Sequence, residues 1–269
     1  MKTTTPLILL FIIACFTQSC SKDHQITNET QLHTIKTTFT NIVWYRAYEI
    51  NDVTKKMIVM RDSANGVVIT SSFEYDADGK MSKVNFGQGG VVTHYLEFEY
   101  NPDGTIHKRQ VRSETINVGD DYNIYSYDAS GRIIIDSQFS KGNTSTYQLF
   151  AVSDFHYTGA NVTEAEYYEL ANGNLQLNRR RKYEYDNKLN PYKNLENHYY
   201  YNEFGSAIYD ACIMGENNFI NAYTAIGNDP FQLTETNSYQ YNSSNYPIKL
   251  NPELEQSPAN LEKEEYFYR

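Results

Sequence analysis

Apolar and polar residues alternate along most of the chain with a period of two. Val67, Ile69, Ser71, Phe73 and Tyr75 fall on one face, with Val68, Thr70, Ser72 and Glu74 on the other. Val92, His94, Leu96, Phe98 and Tyr100 repeat the pattern opposite Thr93, Tyr95, Glu97 and Glu99. A period of two places alternate side chains on opposite faces of a β-strand. Seven strands end in an aromatic-x-aromatic pair: "FEY" at 73–75 and 98–100, "YSY" at 125–127, "FHY" at 155–157, "YEY" at 183–185, "YQY" at 239–241 and "YFY" at 266–268. Turn chemistry follows the last tyrosine in "DADG" (76–79), "NPDG" (101–104) and "DASG" (128–131), and drifts to "DNKLNP" (186–191) and "NSSNYP" (242–247). In such turns an Asx side chain caps its own backbone and glycine supplies the positive φ.

The aligned tyrosines are Tyr48, Tyr75, Tyr100, Tyr127, Tyr157, Tyr185, Tyr241 and Tyr268, at spacings of 27, 25, 27, 30, 28, 56 and 27. The value of 56 is twice 28, so one unit has diverged or carries an insertion. Each unit reads as a hairpin, with "GQGG" (87–90), "NVGDD" (117–121) and "SKGNT" (140–144) as the opposite turns. Seven or eight units predict an all-β antiparallel meander of about 14 to 16 strands. Open twisted sheets curl or close beyond about ten strands. The expected architecture is a strongly curved sheet, a half-barrel or a superhelix. Alternation fades between 199 and 233, around Cys212 and Met214, and this irregular insertion is the first place to look for function. The segment 250–265 reads as a loop before the last strand.

The first residues follow a different logic. Met1-Lys2 and the apolar run Pro6–Phe16 form a secretion-signal core, too short for a bilayer span of roughly 20 residues. "TQSC", ending at Cys20, resembles a bacterial lipobox, which implies a lipid on Cys20 and removal of residues 1–19. "CSKDH" partly resembles the signal that sends Bacteroidota lipoproteins to the cell surface. The expected layout is a signal at 1–19, a lipid-anchored linker at 20–40 and one repeat domain at 41–269. The expected location is the outer membrane, exposed at the cell surface, with the periplasmic face as the alternative.

Composition narrows the function classes. A formal net charge of -10, with Arg179–Lys182 the one basic run, argues against nucleic acid. That run reads as the solvated side of a strand. After loss of Cys15 and lipidation of Cys20, Cys212 stands alone, so no disulfide framework forms. Twenty-five tyrosines against one tryptophan point to half-exposed sheet or to a stacking surface.

Candidate chemistry is sparse. Asp76, Asp78, Asn101, Asp103 and Asp128 resemble calcium ligands, but each turn offers two or three oxygens where calcium needs six or more. His94, His107, His156 and His198 lack metal-ligand spacing. Cys212 and His198 lack a nucleophile signature, Glu97 and Glu99 share a solvent face, and no cofactor fingerprint appears. The chain therefore reads as a non-enzyme without cofactor or metal.

The motif aromatic-x-Tyr-Asp/Asn-x-x-Gly-basic-hydrophobic resembles the YD repeats of Rhs and teneurin-type shells, although those repeats run nearer 20 residues. The whole mature chain is similar to small Bacteroidota lipoproteins with degenerate YD-like hairpins, which implies an antiparallel β fold and no catalytic residues. The reading is a binding or scaffold module for a glycan, peptide or protein partner. The alternative is a periplasmic-facing carrier or chaperone for a lipid or unfolded chain, and a hydrolase built on the insertion ranks last. Replacement of Cys20 by Ser should abolish incorporation of labelled palmitate and move the protein from the membrane to the soluble fraction. A variant that stays membrane-bound would refute lipidation at Cys20.

Overall fold

The computed structural model describes residues 31–113, 121–141, 145–195, 197–201, 211–253 and 261–269. Sixteen strands follow one another: β1 (Leu32–Phe39), β2 (Ile42–Ile50), β3 (Met57–Ala64), β4 (Val67–Tyr75), β5 (Met81–Gln88), β6 (Val91–Tyr100), β7 (Ile106–Ser113), β8 (Tyr122–Tyr127), β9 (Ile133–Ser140), β10 (Gln148–Thr158), β11 (Asn161–Ala171), β12 (Asn174–Leu189), β13 (Asn217–Ile226), β14 (Gln232–Tyr241), β15 (Pro247–Pro252) and β16 (Leu261–Tyr268). Each pairs antiparallel with its neighbours, and β1 pairs with β16, from Leu32 opposite Tyr268 to Phe39 opposite Leu261. The sheet is a closed barrel. The open curved sheet, half-barrel or superhelix expected above is corrected on this point. Closure pairs the two edge strands that an open meander would leave exposed.

The eight aligned tyrosines lie on the eight even-numbered strands, so no unit is missing. The doubled spacing is an insertion between β12 and β13, running from Asn190 to Glu216. It starts earlier and ends earlier than 199–233, because Asn217–Ile226 returns to strand. Two other boundaries differ from the reading of the sequence. Strand β1 begins at Leu32, within 20–40, and Leu261–Glu265 belongs to β16. Both segments alternate over few residues and mix charge with apolar groups, which masked their strand character.

Alternation sorts the wall into two faces. Inward positions carry the core: Tyr48, Met60, Phe73, Val84, Leu96, Phe98, Tyr125, Phe155, Val162, Tyr183 and Tyr266 are all buried. Outward positions carry cross-strand charge pairs: Arg61–Glu49, Arg112–Glu97, Lys108–Glu99 and Lys36–Glu265. Lipid-facing barrels show the reverse, an apolar outer band around a polar lumen. Among the described residues no helix is long and apolar enough to cross a membrane.

The repeated motif has a physical explanation at every position. Asp76 Oδ1 accepts the Asp78 and Lys80 amides, and Asp128 Oδ1 accepts those of Ser130 and Arg132. Gly79, Gly104 and Gly131 close these turns at φ of 78°, 92° and 77°, and Asn245 takes the same place at 65° in the unit that lacks the glycine. The tyrosine reaches back to the previous hairpin. Tyr75, Tyr100, Tyr127, Tyr157, Tyr185, Tyr239 and Tyr268 donate their hydroxyls to the carbonyls of Met57, Met81, Ile106, Ile133, Val162, Phe219 and Pro247. Five of these seven acceptors open the strand before the tyrosine's own, and Val162 and Phe219 lie one and two residues inside theirs. The basic residue beside three of the acceptors covers the same ring: Lys56 over Tyr75 at 4.8 Å, Lys80 over Tyr100 at 5.0 Å and Arg132 over Tyr157 at 4.5 Å. Lys56 and Arg132 also donate to the turn carbonyls of Gly79 and Gly159.

The motif tyrosines are half-buried, and their hydroxyls are tied to neighbouring strands. Six of the eight aligned tyrosines, and Tyr239 in place of Tyr241, face the lumen and clasp their unit to the one before it. Tyr100→Phe leaves the Met81 carbonyl without its 2.7 Å donor, and an unsatisfied buried acceptor costs about 1–3 kcal/mol. Urea denaturation should show a loss of that size. Tyr95→Phe, on the outer wall, should stay within about 0.5 kcal/mol of wild type. Equal effects from the two variants would disprove the clasp.

Candidate functional site

A barrel of sixteen strands encloses more space than its inward side chains fill; barrels of sixteen to eighteen strands commonly hold an open channel. Here the insertion enters from the end where the Tyr-Asp turns lie. Asn190 anchors its base: its Oδ1 accepts the Tyr192 amide, and its Nδ2 donates to the carbonyls of Ile213 and Gly215. A short helix, α1 (His198–Tyr201), and a 3₁₀ turn (Ala211–Met214) then pack inside the wall. Tyr199 donates to Asp136 Oδ2 at 3.0 Å, and the Tyr200 and Tyr127 hydroxyls meet at 2.8 Å. Arg109 donates to the Tyr200 carbonyl, and Tyr201 meets Phe73 edge-on at 4.9 Å. Removal from water raises the Asp136 carboxyl pKa, and the Asn123 amide and Tyr199 hydroxyl that it accepts oppose that shift.

Beside this plug lies a chamber of about 410 Å³. Its floor is Tyr192, Cys212 and Ile213 from the insertion. Its walls are Phe219, Glu235, Asn237, Tyr239, Leu250, Glu264 and Tyr266 from β13–β16, with Thr37 and Phe39 from β1. Phe39 ends β1 and Leu261 starts β16, so the chamber reaches the barrel end opposite the Tyr-Asp turns. A smaller space of about 170 Å³ adjoins it, sharing Thr37, Phe39, Tyr192 and Glu264 and adding Trp44, Arg46 and Asp62.

The lining is mostly apolar and aromatic, with a few convergent polar groups. Glu264 accepts the Tyr266 hydroxyl at 2.7 Å and the Thr37 hydroxyl at 3.2 Å. Its exposed part faces the chamber, and enclosure away from bulk water raises its pKa, against those two hydrogen bonds. Arg46 forms a two-pronged pair with Asp62 at 2.7 and 3.0 Å, and Arg181 pairs with Glu235. The basic run is thus divided by the pleat. Arg179 and Arg181 point into the lumen and only Arg180 and Lys182 point out, which corrects its reading as a solvated face.

The sequence reading did not single out Arg46, Arg181 or Glu264 as lumen groups. The signal was parity: each stands two residues before an inward tyrosine, in "RAY" (46–48), "RKYEY" (181–185) and "EEYFY" (264–268).

Cys212 is buried in the 3₁₀ turn. His198 is also buried, packed at 4.4 Å against Tyr192 and at 5.3 Å against Tyr201, and neither ring nitrogen has a hydrogen-bond partner among the described residues. Burial, with Arg46 nearby, pushes its pKa down to about 3. A base so weak is poorly matched to proton transfer near neutral pH.

The turn carboxylates Asp76, Asp103 and Asp128 are engaged by their own turns, as described above for Asp76 and Asp128 and through the Thr105 amide for Asp103. On the outer wall Asp154, His156 and Glu166 bring their ligand atoms within 4.8 Å of one another. Glu166 there accepts the Tyr168 hydroxyl and stands opposite Arg180 on β12. The metal-ligand group crosses two strands, so sequence spacing does not disclose it.

These features define a sixteen-stranded meander barrel with a plugged lumen and an internal aromatic chamber. Two crystal structures share the fold. A porin-like protein from Bacteroides uniformis superposes with a TM-score of 0.58 at 7% identity, over 89% of this chain and 98% of that one. A porin-like protein from Bacteroides vulgatus gives 0.57 at 12% identity, over 90% and 99%. At these identities the likeness is one of fold alone. No family profile and no curated protein matches the chain.

A buried neutral histidine makes stability fall in acid. The folded state resists protonation of His198 down to about pH 3, whereas the unfolded chain binds that proton near 6.5. The unfolded state therefore gains protons first as pH drops, and stability declines from about pH 6.5 downward by up to ~1.4 kcal/mol per unit. His198→Phe should flatten that limb of a denaturation-midpoint profile between pH 6.5 and 4.5. An unchanged slope would show that His198 is not held neutral.

Proposed function

We propose that this chain is a non-enzymatic lipoprotein of outer-membrane type, tethered through Cys20, that binds a small, largely apolar molecule inside its barrel. The observation that carries the reading is the chamber of about 410 Å³ that opens at the barrel end, aromatic in lining and fitted with a few polar groups. Ligand pockets for small molecules have this size and character, about 300–1,000 Å³ and mainly apolar. Glu264, already accepting the Tyr266 and Thr37 hydroxyls, offers the chamber a polar group that could meet a ligand's head. The polar outer wall supports a barrel bathed in water and held at a membrane by an anchor. The fold shared with two Bacteroides porin-like proteins supports an outer-membrane setting of Bacteroidota type.

The chamber also supports one of the earlier alternatives over the others. An aromatic sheet presented to a glycan or folded partner requires an exposed concave face, and this concave face is the lumen. An unfolded chain needs a long groove, and the insertion fills that volume. A carrier of a lipid-like or other small apolar molecule fits the space. The weakly basic His198 and the buried Cys212 support a non-catalytic role for the insertion.

The barrel closes between Gln31 and Arg269, so a chain starting at Ser21 keeps every strand. Titrated with the apolar dye N-phenyl-1-naphthylamine, it should show saturable fluorescence. Leu250→Trp and Ile213→Trp, which fill the chamber from opposite sides, should each weaken binding about tenfold or more with unchanged circular dichroism. Undiminished binding in both folded variants, or no saturable binding by wild type, would reject the chamber as a ligand site.

A further inference from the structure

The outer wall is not uniformly polar. Fifteen large apolar side chains are exposed among the described residues. Eleven of them gather at one end: Val43, Tyr45, Val67, Val68, Val91, Val92, Phe150, Leu170, Leu175, Ile226 and Leu233; of these, Val67, in step with Ser71 and Phe73, and Ile226, opposite Arg179, stand on the inward face at the lip of the barrel. This is the end opposite the Tyr-Asp turns, and it is where the chamber reaches the rim. The other four, Val53, Ile58, Ile248 and Phe267, lie toward the turn end. The gathering is not a patch on one side, because it occupies β2, β4, β6 and every strand from β10 to β14. Exposure within it runs from 37% at Val43 to 62% at Val91. The β11–β12 hairpin carries it farthest out. Pairing of β12 with β13 ends at Arg179 opposite Ile226, while β11 and β12 continue past Leu170 opposite Leu175 to Ala171 opposite Asn174.

We propose that this apolar annulus docks on a lipid surface, so that the mouth of the barrel rests in the interfacial layer of a membrane. Two properties of the ring favour lipid over protein. First, it extends around much of the circumference, which suits a flat fluid surface; a folded partner would need a matching annulus. Second, it is built mainly from Val, Leu and Ile. Protein interfaces draw their binding energy from Trp, Tyr and Arg, and Leu and Val are under-represented among those hot spots, whereas aliphatic side chains partition directly into the acyl boundary.

The anchor permits this orientation, an argument that rests on lipidation of Cys20. Eleven residues separate Cys20 from Leu32, and fully extended they span about 36–40 Å. Leu32 sits at the turn end, and the strands of 8 to 11 residues beside it rise at most about 27–37 Å before tilt shortens them. The linker is therefore long enough for the opposite end to face the membrane that holds the lipid. Docked there, the annulus brings the chamber rim to the layer in which apolar molecules reside.

The test uses the unlipidated chain from Ser21 onward and sonicated vesicles of phosphatidylethanolamine and phosphatidylglycerol at a ratio of about three to one, with phosphatidylcholine vesicles in parallel. Wild type should co-sediment with both. The triple variant Val68→Ser, Val92→Ser, Leu175→Ser should lose co-sedimentation at least about fivefold. The control Ile248→Ser, Phe267→Ser, at the other end, should not. Leu250→Trp should co-sediment like wild type, which separates this proposal from the chamber reading. Absence of wild-type co-sedimentation, equal co-sedimentation by the triple variant, or loss only with phosphatidylcholine would overturn the proposal. So would a stable dimer in gel filtration that the triple variant abolishes, since a second copy would then cover the ring.

Discussion

The width of the lumen governs this structure. Sixteen antiparallel strands close a cylinder whose interior its own wall cannot fill, and an apolar inner face cannot be left lining a water channel. Inward aromatic side chains cover part of the gap, and the described parts of the insertion, 190–195, 197–201 and 211–216, occupy part of what remains. The plug meets the wall with rings and with hydrogen bonds: Tyr199 to Asp136, Tyr200 to Tyr127, and Arg109 to the Tyr200 carbonyl. The volume that neither wall nor plug fills is the chamber. Its character follows from what surrounds it, aromatic from the repeats and sparsely polar from a few charged residues that share the inward face.

At the level of the unit, the tyrosine does what a disulfide or metal does in smaller scaffolds. Its ring packs in the lumen and its hydroxyl satisfies a main-chain carbonyl on the neighbouring strand. In three units a Lys or Arg lies over the ring. None of these contacts is strong alone, at about 1 kcal/mol for a hydrogen bond and 0.5–1 kcal/mol for an exposed cation–π contact. Repetition around the cylinder links successive hairpins to one another.

The polarity of the wall separates this barrel from the membrane-spanning architecture that its outline suggests. Glu49, Glu74, Lys83, Glu97, Glu99, Lys108 and Arg112 stand where a lipid-facing barrel carries its apolar band. Apolar exposure concentrates instead at one mouth. The polar wall, the apolar rim and the internal chamber are the features on which the proposed passage of an apolar molecule between a membrane and a protein interior rests.

Much of the fold was legible because strand chemistry is local. The period of two marked the strands, Asx and Gly marked the turns, and the aligned tyrosines counted the units, including the one that seemed doubled. The acidic turns were readable as turns because the residues that satisfy each Asx oxygen lie within four positions of it. The site was less legible. That Arg46 meets Asp62, that Glu264 meets Thr37, and that His198 lies between Tyr192 and Tyr201 depend on strands that are neighbours only once the sheet curls. Sequence by itself determined an all-β chain of eight hairpins, with its inner and outer faces assigned by parity. Only the tertiary structure decided that β1 meets β16, that the insertion turns inward, and that an aromatic chamber remains beside it. Pairing across 227 residues, as between Thr37 and Glu264, is a closure condition on the whole sheet, and no local pattern encodes it.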